Sequence, residues 1–140
     1  MHKVLVPIDG SKHSDAALRY AIDLLRDKGD GSVLIVNIQP SLPGTVSSVV
    51  SAKTLKAYHV EEGGKILAKA IAPLKKAGIA HDTHVAIGEP ASEIAALVKA
   101  KKCDAVVMGS RGLGAFGGMV MGSVATKVVS LVDVPVTLVK

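Results

Sequence analysis

The sequence predicts one α/β domain over residues 1–140, a three-layer sandwich with a five-stranded, mostly parallel sheet between two layers of helix. Three observations carry that expectation. Five short apolar runs rich in β-branched residues alternate with segments of helical periodicity. Most of the runs are continuous rather than alternating, as strands covered on both faces read. A glycine-rich stretch, residues 109–123 (GSRGLGAFGGMVMGS), joins the fourth run to a helical segment, at the kind of strand-to-helix junction where such sheets bind ligands.

The first strand is expected at residues 3–8 (KVLVPI), followed by a helix over 11–27 with Ala17, Ala21, Leu24 and Leu25 on one stripe and Ser11 placed to cap it. The second strand is 32–38 (SVLIVNI). Residues 40–51, with Pro43, Gly44 and several hydroxyl side chains, read as a loop of functional length and a candidate lid. A long amphipathic helix follows to about residue 76, weakened at Gly63 and Gly64. The third strand is 81–87 (HDTHVAI), and Pro90 at a first helical position opens a helix to about residue 100. The fourth strand is 104–108 (DAVVM), a helix takes 124–132 (VATKVVSLV), and the last strand is 134–139 (VPVTLV).

Six glycines among the fifteen residues 109–123 weaken any regular element there, so this stretch supplies backbone freedom or close approach to a ligand. Ser123 falls where a helix begins. The unpaired N–H groups of that first turn, the positive end of the helix dipole and the Ser123 hydroxyl suit a phosphate. A side chain at Gly109 or Gly122 is expected to fill the space such phosphates need. Two familiar phosphate motifs do not fit. GLGAFG at 112–117 matches G-x-G-x-x-G, but it does not follow the first strand and lacks the later acidic partner. The Walker pattern needs a Lys after the second glycine of G-x-x-x-x-G, and residue 123 is Ser.

Composition narrows the classes. The net charge of +5 comes from lysines spread over helical segments, and one Phe, two Tyr and no Trp give few stacking platforms, so nucleic acid is not an expected partner. No apolar run reaches membrane-spanning length, and the N-terminus lacks signal-peptide features. The single Cys103 reads as a passive apolar thiol. A cytoplasmic protein without membrane association is expected. His81 and His84 fall on opposite faces of a strand and complete no zinc site.

With the strands in the order 3-2-1-4-5, the ends of the first and fourth flank one crevice, which brings Asp9 beside the glycine loop. Asp9 there suits a ribose hydroxyl or a phosphate-bound Mg²⁺. In the same order the last strand is a sheet edge, apolar on both faces through Val134, Val136, Leu138 and Val139, and a homodimer joined through it is expected.

VPIDGS at 6–11, GEPASEI at 88–94 and the spacing Gly109-x2-Gly112-x9-Gly122-Ser123 resemble the ATP-binding branch of the universal stress protein family. The resemblance covers essentially the whole chain and implies a Rossmann-like fold of the adenine nucleotide alpha-hydrolase-like type, a homodimer, and ATP with Mg²⁺ as ligands. Carried over by residue, it implies Pro7, Ile8 and Asp9 on the adenosine side, with Asp9 near ribose and metal. Val36 would meet adenine through its backbone. Met108 and Gly109 would run along ribose and phosphates, Arg111 and Gly112 beside the phosphates, and Gly122, Ser123, Val124 and Ala125 would receive the triphosphate. The implied role is a regulatory, stress-response protein that senses adenine nucleotide and acts on an unknown client. Two other readings stand beside it: slow ATP hydrolysis, with Arg111 the loop's fixed positive charge and no dedicated base in sight, and an interaction module whose pocket is vestigial.

Overall fold

The elements follow one another as β1 (Lys3–Pro7), α1 (Lys12–Leu25), β2 (Ser32–Gln39), α2 (Ala52–Ala77), β3 (Ala80–Ile87), α3 (Pro90–Ala100), β4 (Ala105–Gly109), α4 (Ser123–Leu131) and β5 (Val136–Val139). They are seen in a computed structural model that describes residues 2–41, 51–112 and 121–140. Residues 42–50, the body of the expected lid, and 113–120 of the glycine loop lie outside the described residues.

All five strands are parallel and lie in the order β3-β2-β1-β4-β5. That is the expected doubly wound sheet. The chain winds outward from β1 to β3, then returns past β1 to β4 and β5, so right-handed crossovers deposit the two pairs of helices on opposite faces. Continuous apolar strands can serve both faces because successive side chains point opposite ways. Val4, Val6, Val33, Ile35 and Val107 pack against α1 and α2, whereas Leu5, Leu34, Val36, Val106 and Met108 pack against α3 and α4. Cys103 is buried in the second of these cores, where burial pushes its thiol pKa up, consistent with an inert thiol.

Pairing shifts some of the expected boundaries. β2 runs one residue beyond expectation to Gln39 because β3 continues beside it as far as Ile87. β5 begins at Val136, since Pro135 offers only its carbonyl, which accepts the Val106 N–H at 2.9 Å. α2 continues unbroken through Gly63 and Gly64. A Cβ at Gly63 would lie 2.6 Å from a Val85 methyl, so the glycine lets the helix sit close to β3. Among the described residues, no helix is long and apolar enough to cross a membrane.

Candidate functional site

The crevice opens where β1 and β4 stop pairing, and Pro7 explains why they stop. In β1, odd-numbered backbone groups face β4, as the Lys3 carbonyl does in accepting Asp104 N–H at 2.7 Å. Even-numbered groups face β2, as the Ile8 N–H does in reaching the Val36 carbonyl at 2.7 Å. Pro7 is next in the series facing β4 and has no N–H to give. The β1–β4 ladder accordingly ends at Leu5↔Val106, while the β1–β2 ladder continues to Pro7↔Val36.

Beyond Pro7 the chain turns sharply into α1. Gly10 takes φ +86°, a left-handed conformation that suits glycine. The Asp9 carboxylate accepts the Ser11 N–H through Oδ1 at 2.9 Å, a local turn that fixes its direction. The other carboxylate oxygen faces Gly112, and a Cβ at Gly112 would collide with it. Gly112 therefore rests against Asp9 at a position that has no room for a side chain.

The two ends of the loop are tied together and to the sheet. Ser110 N–H donates to the Val139 carbonyl at 2.8 Å, and Gly122 N–H donates to the Ser110 carbonyl at 2.7 Å. The Ser110 hydroxyl itself is buried and has no hydrogen-bond partner among the described residues. Gly122 is the N-cap of α4 and supplies no side-chain cap, and the first residues of that helix, Ser123, Val124 and Ala125, line the crevice. Gly109 departs from expectation. A Cβ there would sit 2.7 Å from the His13 Cβ and 2.8 Å from the Arg111 carbonyl, so its smallness serves the packing of β4 against α1 rather than ligand space.

A cavity of about 270 Å³ fills this crevice. All twelve residues expected from the sequence line it: Pro7, Ile8, Asp9, Val36, Met108, Gly109, Arg111, Gly112, Gly122, Ser123, Val124 and Ala125. Ser14, Ile38, Pro90, Ile94 and Ser110 line it as well and escaped sequence reasoning. Pro90 and Ile94 stand four apart on α3, within the GEPASEI segment, and that helical spacing was the available signal. Val36 differs in kind from expectation. It is fully buried and its carbonyl is engaged by Ile8 N–H, so what it offers the cavity is an apolar side chain. The walls are thus apolar near Val36, Ile38, Ile94 and Met108, and polar near Asp9, Arg111 and the start of α4.

Residues 1–140 match the model of the universal stress protein family. The chain belongs to that family. This universal stress protein is similar to universal stress protein YxiE of Bacillus subtilis, 33% identical over 147 residues with 99% of each chain covered. In structure it is similar to hypothetical protein MJ0577, with TM-score 0.87, 24% identity and coverage of 99% and 95% of the two chains. It is also similar in fold to an Arabidopsis thaliana universal stress protein family member with AMP bound (TM-score 0.72, 20% identity, 100% and 92% coverage). A universal stress protein from Archaeoglobus fulgidus in complex with dAMP is likewise similar (TM-score 0.73, 23% identity, 100% and 98% coverage).

Among the described residues no group of three or more His, Cys, Asp or Glu side chains gathers to hold a metal. Asp9 is the one carboxylate among the described residues of the cavity wall. That donor set fits Mg²⁺ in the manner common for nucleotide sites, where one or two carboxylates and the phosphates share the ion with water.

Proposed function

We propose that this universal stress protein binds an adenine nucleotide, ATP with Mg²⁺, in the crevice between β1 and β4, and that it serves as a regulatory stress-response protein whose action on a client depends on occupancy. The observation that carries this reading is the convergence of three different elements on one cavity: the start of α4 at Gly122, which has no side-chain cap, the basic residue Arg111 and the acidic residue Asp9. Two suit phosphates and the third suits a phosphate-bound cation or a ribose hydroxyl. The apolar walls at Val36, Ile38 and Met108 offer a slot for the base. Relatives of the same fold with AMP and dAMP bound support an adenine ligand.

The test is to denature the purified protein, separate released small molecules by chromatography and read their ultraviolet spectra, then titrate nucleotide-free protein with ATP, with and without Mg²⁺, in a calorimeter. Absence of released nucleotide together with absence of heat at millimolar ATP would refute the reading.

In the same reading the protein is a homodimer through β5. Both β3 and β5 are sheet edges. β3 carries His81, Asp82, Thr83 and His84 along its edge, whereas β5 is Val136, Thr137, Leu138 and Val139, all only half-buried. Pairing β5 with its copy would satisfy its outer backbone groups and close a two-fold assembly. Val136→Lys combined with Leu138→Lys should convert a dimer to a monomer by light scattering, and a wild-type monomer at micromolar concentration would exclude the interface.

A further inference from the structure

β2 carries one buried polar side chain in an otherwise apolar interior, Asn37, only 2% exposed. An unpaired amide there would cost free energy, so its partners matter. At 2.8 Å from one end of the amide lies the Ile8 carbonyl, which can only accept, so the atom facing it is Nδ2. Oδ1 then accepts from Gln39 Nε2 at 2.7 Å. Gln39 Oε1 in turn faces His59 Nδ1 at 3.4 Å, which assigns the proton to that nitrogen. The Ile8 carbonyl thus sets the direction of the whole chain of side chains.

The same carbonyl belongs to the Ile8–Asp9 peptide, and a trans peptide points its C=O and N–H in opposite directions. The N–H pole of that unit, Asp9 N–H, is directed to Ser14 Oγ at 3.4 Å. One peptide plane is therefore held at both poles, by Asn37 from the α2 side and by Ser14 from α1. Rotation about ψ of Ile8 with φ of Asp9 unchanged would carry the Asp9 Cα–Cβ bond with the plane and move the carboxylate and its Ser11 N–H contact out of the crevice, and holding both poles opposes that rotation. We infer that Asn37 is a positioning residue for Asp9, acting through the Ile8–Asp9 peptide; this rests on the nucleotide reading of the crevice.

The test is a double-mutant cycle on the full chain, read by calorimetric titration with ATP and Mg²⁺ and by thermal melting. Asn37→Leu should weaken binding about five- to tenfold, the size of one lost hydrogen bond. Asp9→Ala should weaken it at least as much. In the double variant the Asn37→Leu loss should vanish, because no carboxylate remains to be positioned. Gln39→Met cuts the same chain one link further from Asp9, so it should lower the melting temperature while changing affinity less than about twofold. If Asn37→Leu does not fold, Asn37→Ser, too short to reach the carbonyl, replaces it in the cycle. Losses that add in the double variant, or a Gln39→Met loss equal to that of Asn37→Leu, would overturn the inference. Wild-type protein that binds no nucleotide refutes the nucleotide reading and this inference with it. Wild-type binding that Asp9→Ala leaves unchanged refutes this inference alone.

Discussion

α1 and α4 start on either side of one crevice, yet their first turns are finished differently. At α1, Ser11 Oγ accepts the Ser14 N–H at 3.2 Å, and the Asp9 carboxylate takes the Ser11 N–H. α2 is closed in the same way by Ser51 on Thr54 N–H at 3.2 Å, and α3 by Glu89 on Ser92 N–H at 2.7 Å. At α4 the cap position is Gly122, with no side-chain hydrogen bond. A good cap is worth about 0.5–2 kcal/mol, and three of the four described helix starts have one. The fourth forgoes it where the cavity lies, which is what a start that completes its donors with a bound anion requires. Capping residues are therefore as informative by their absence as by their presence, provided the neighbouring starts give the standard of comparison.

The largest effect expected from this contrast is that of Gly122→Asp. Gly122 has an ordinary extended backbone, and a Cβ there meets its nearest atoms, Arg111 Cα and Ser110 O, at 3.5 Å, so the fold has room for it. The new carboxylate would cap α4 and favour the helix dipole, raising stability by up to about 1 kcal/mol. It would also stand where phosphates are proposed, and ATP affinity should fall at least about 100-fold, roughly 2.7 kcal/mol. Calorimetry and melting on one sample check both halves. A stable variant that still binds ATP would break the contrast between the two helix starts.

Gly109→Ala should behave in the opposite way. Its Cβ would press on His13 and on the Arg111 carbonyl, so stability should fall by about 1–3 kcal/mol in urea unfolding. A smaller effect, about 1 kcal/mol, is expected for Ser11→Ala, which removes the cap of α1 at a residue that does not itself line the cavity and leaves the Ser14 hydroxyl in place. Its affinity for ATP should stay near wild type, whereas an affinity loss as large as that of Gly122→Asp would show that the two starts are not distinct in function.

Much of this was legible in the sequence. Continuous apolar runs announced a sheet covered on both faces, Pro90 marked the first residue of α3, and Ser11 marked the cap of α1. The spacing of Gly109, Gly112, Gly122 and Ser123 gathered residues that do line one cavity. What stayed hidden depends on neighbours remote in sequence. Gly63 reads as a weak point in a helix until Val85 and Asn37 are seen against it. Gly109 reads as ligand space until His13 is seen there. Val36 reads as a backbone contact until Ile8 is found on its carbonyl. Ser14 and Ile38 carry no motif, and only the fold brings them to the cavity.

The smallest effect sharpens the comparison by joining the capped start of α3 to the uncapped helix α4. Glu89 caps α3, and its carboxylate also pairs with Lys127 of α4 at 3.6 Å. Hydrogen bonding from Ser92, through its side chain and then its backbone N–H, holds the Glu89 carboxyl below the usual glutamate range, with a lesser pull from Lys127. A carboxylate whose folded pKa is depressed contributes stability that is present above its unfolded pKa, about 4.3, and is lost as pH falls through the lower folded value. Glu89→Gln should therefore lower the melting temperature slightly at pH 7, and the gap from wild type should close as both are taken down to about pH 3. Added salt should shrink only the Lys127 share, because that pair is exposed and screened while the cap hydrogen bond is short-range. A gap that stays constant from pH 7 to pH 3 would show that Glu89 supports the start of α3 by packing alone, and that its charge does not tie α3 to α4.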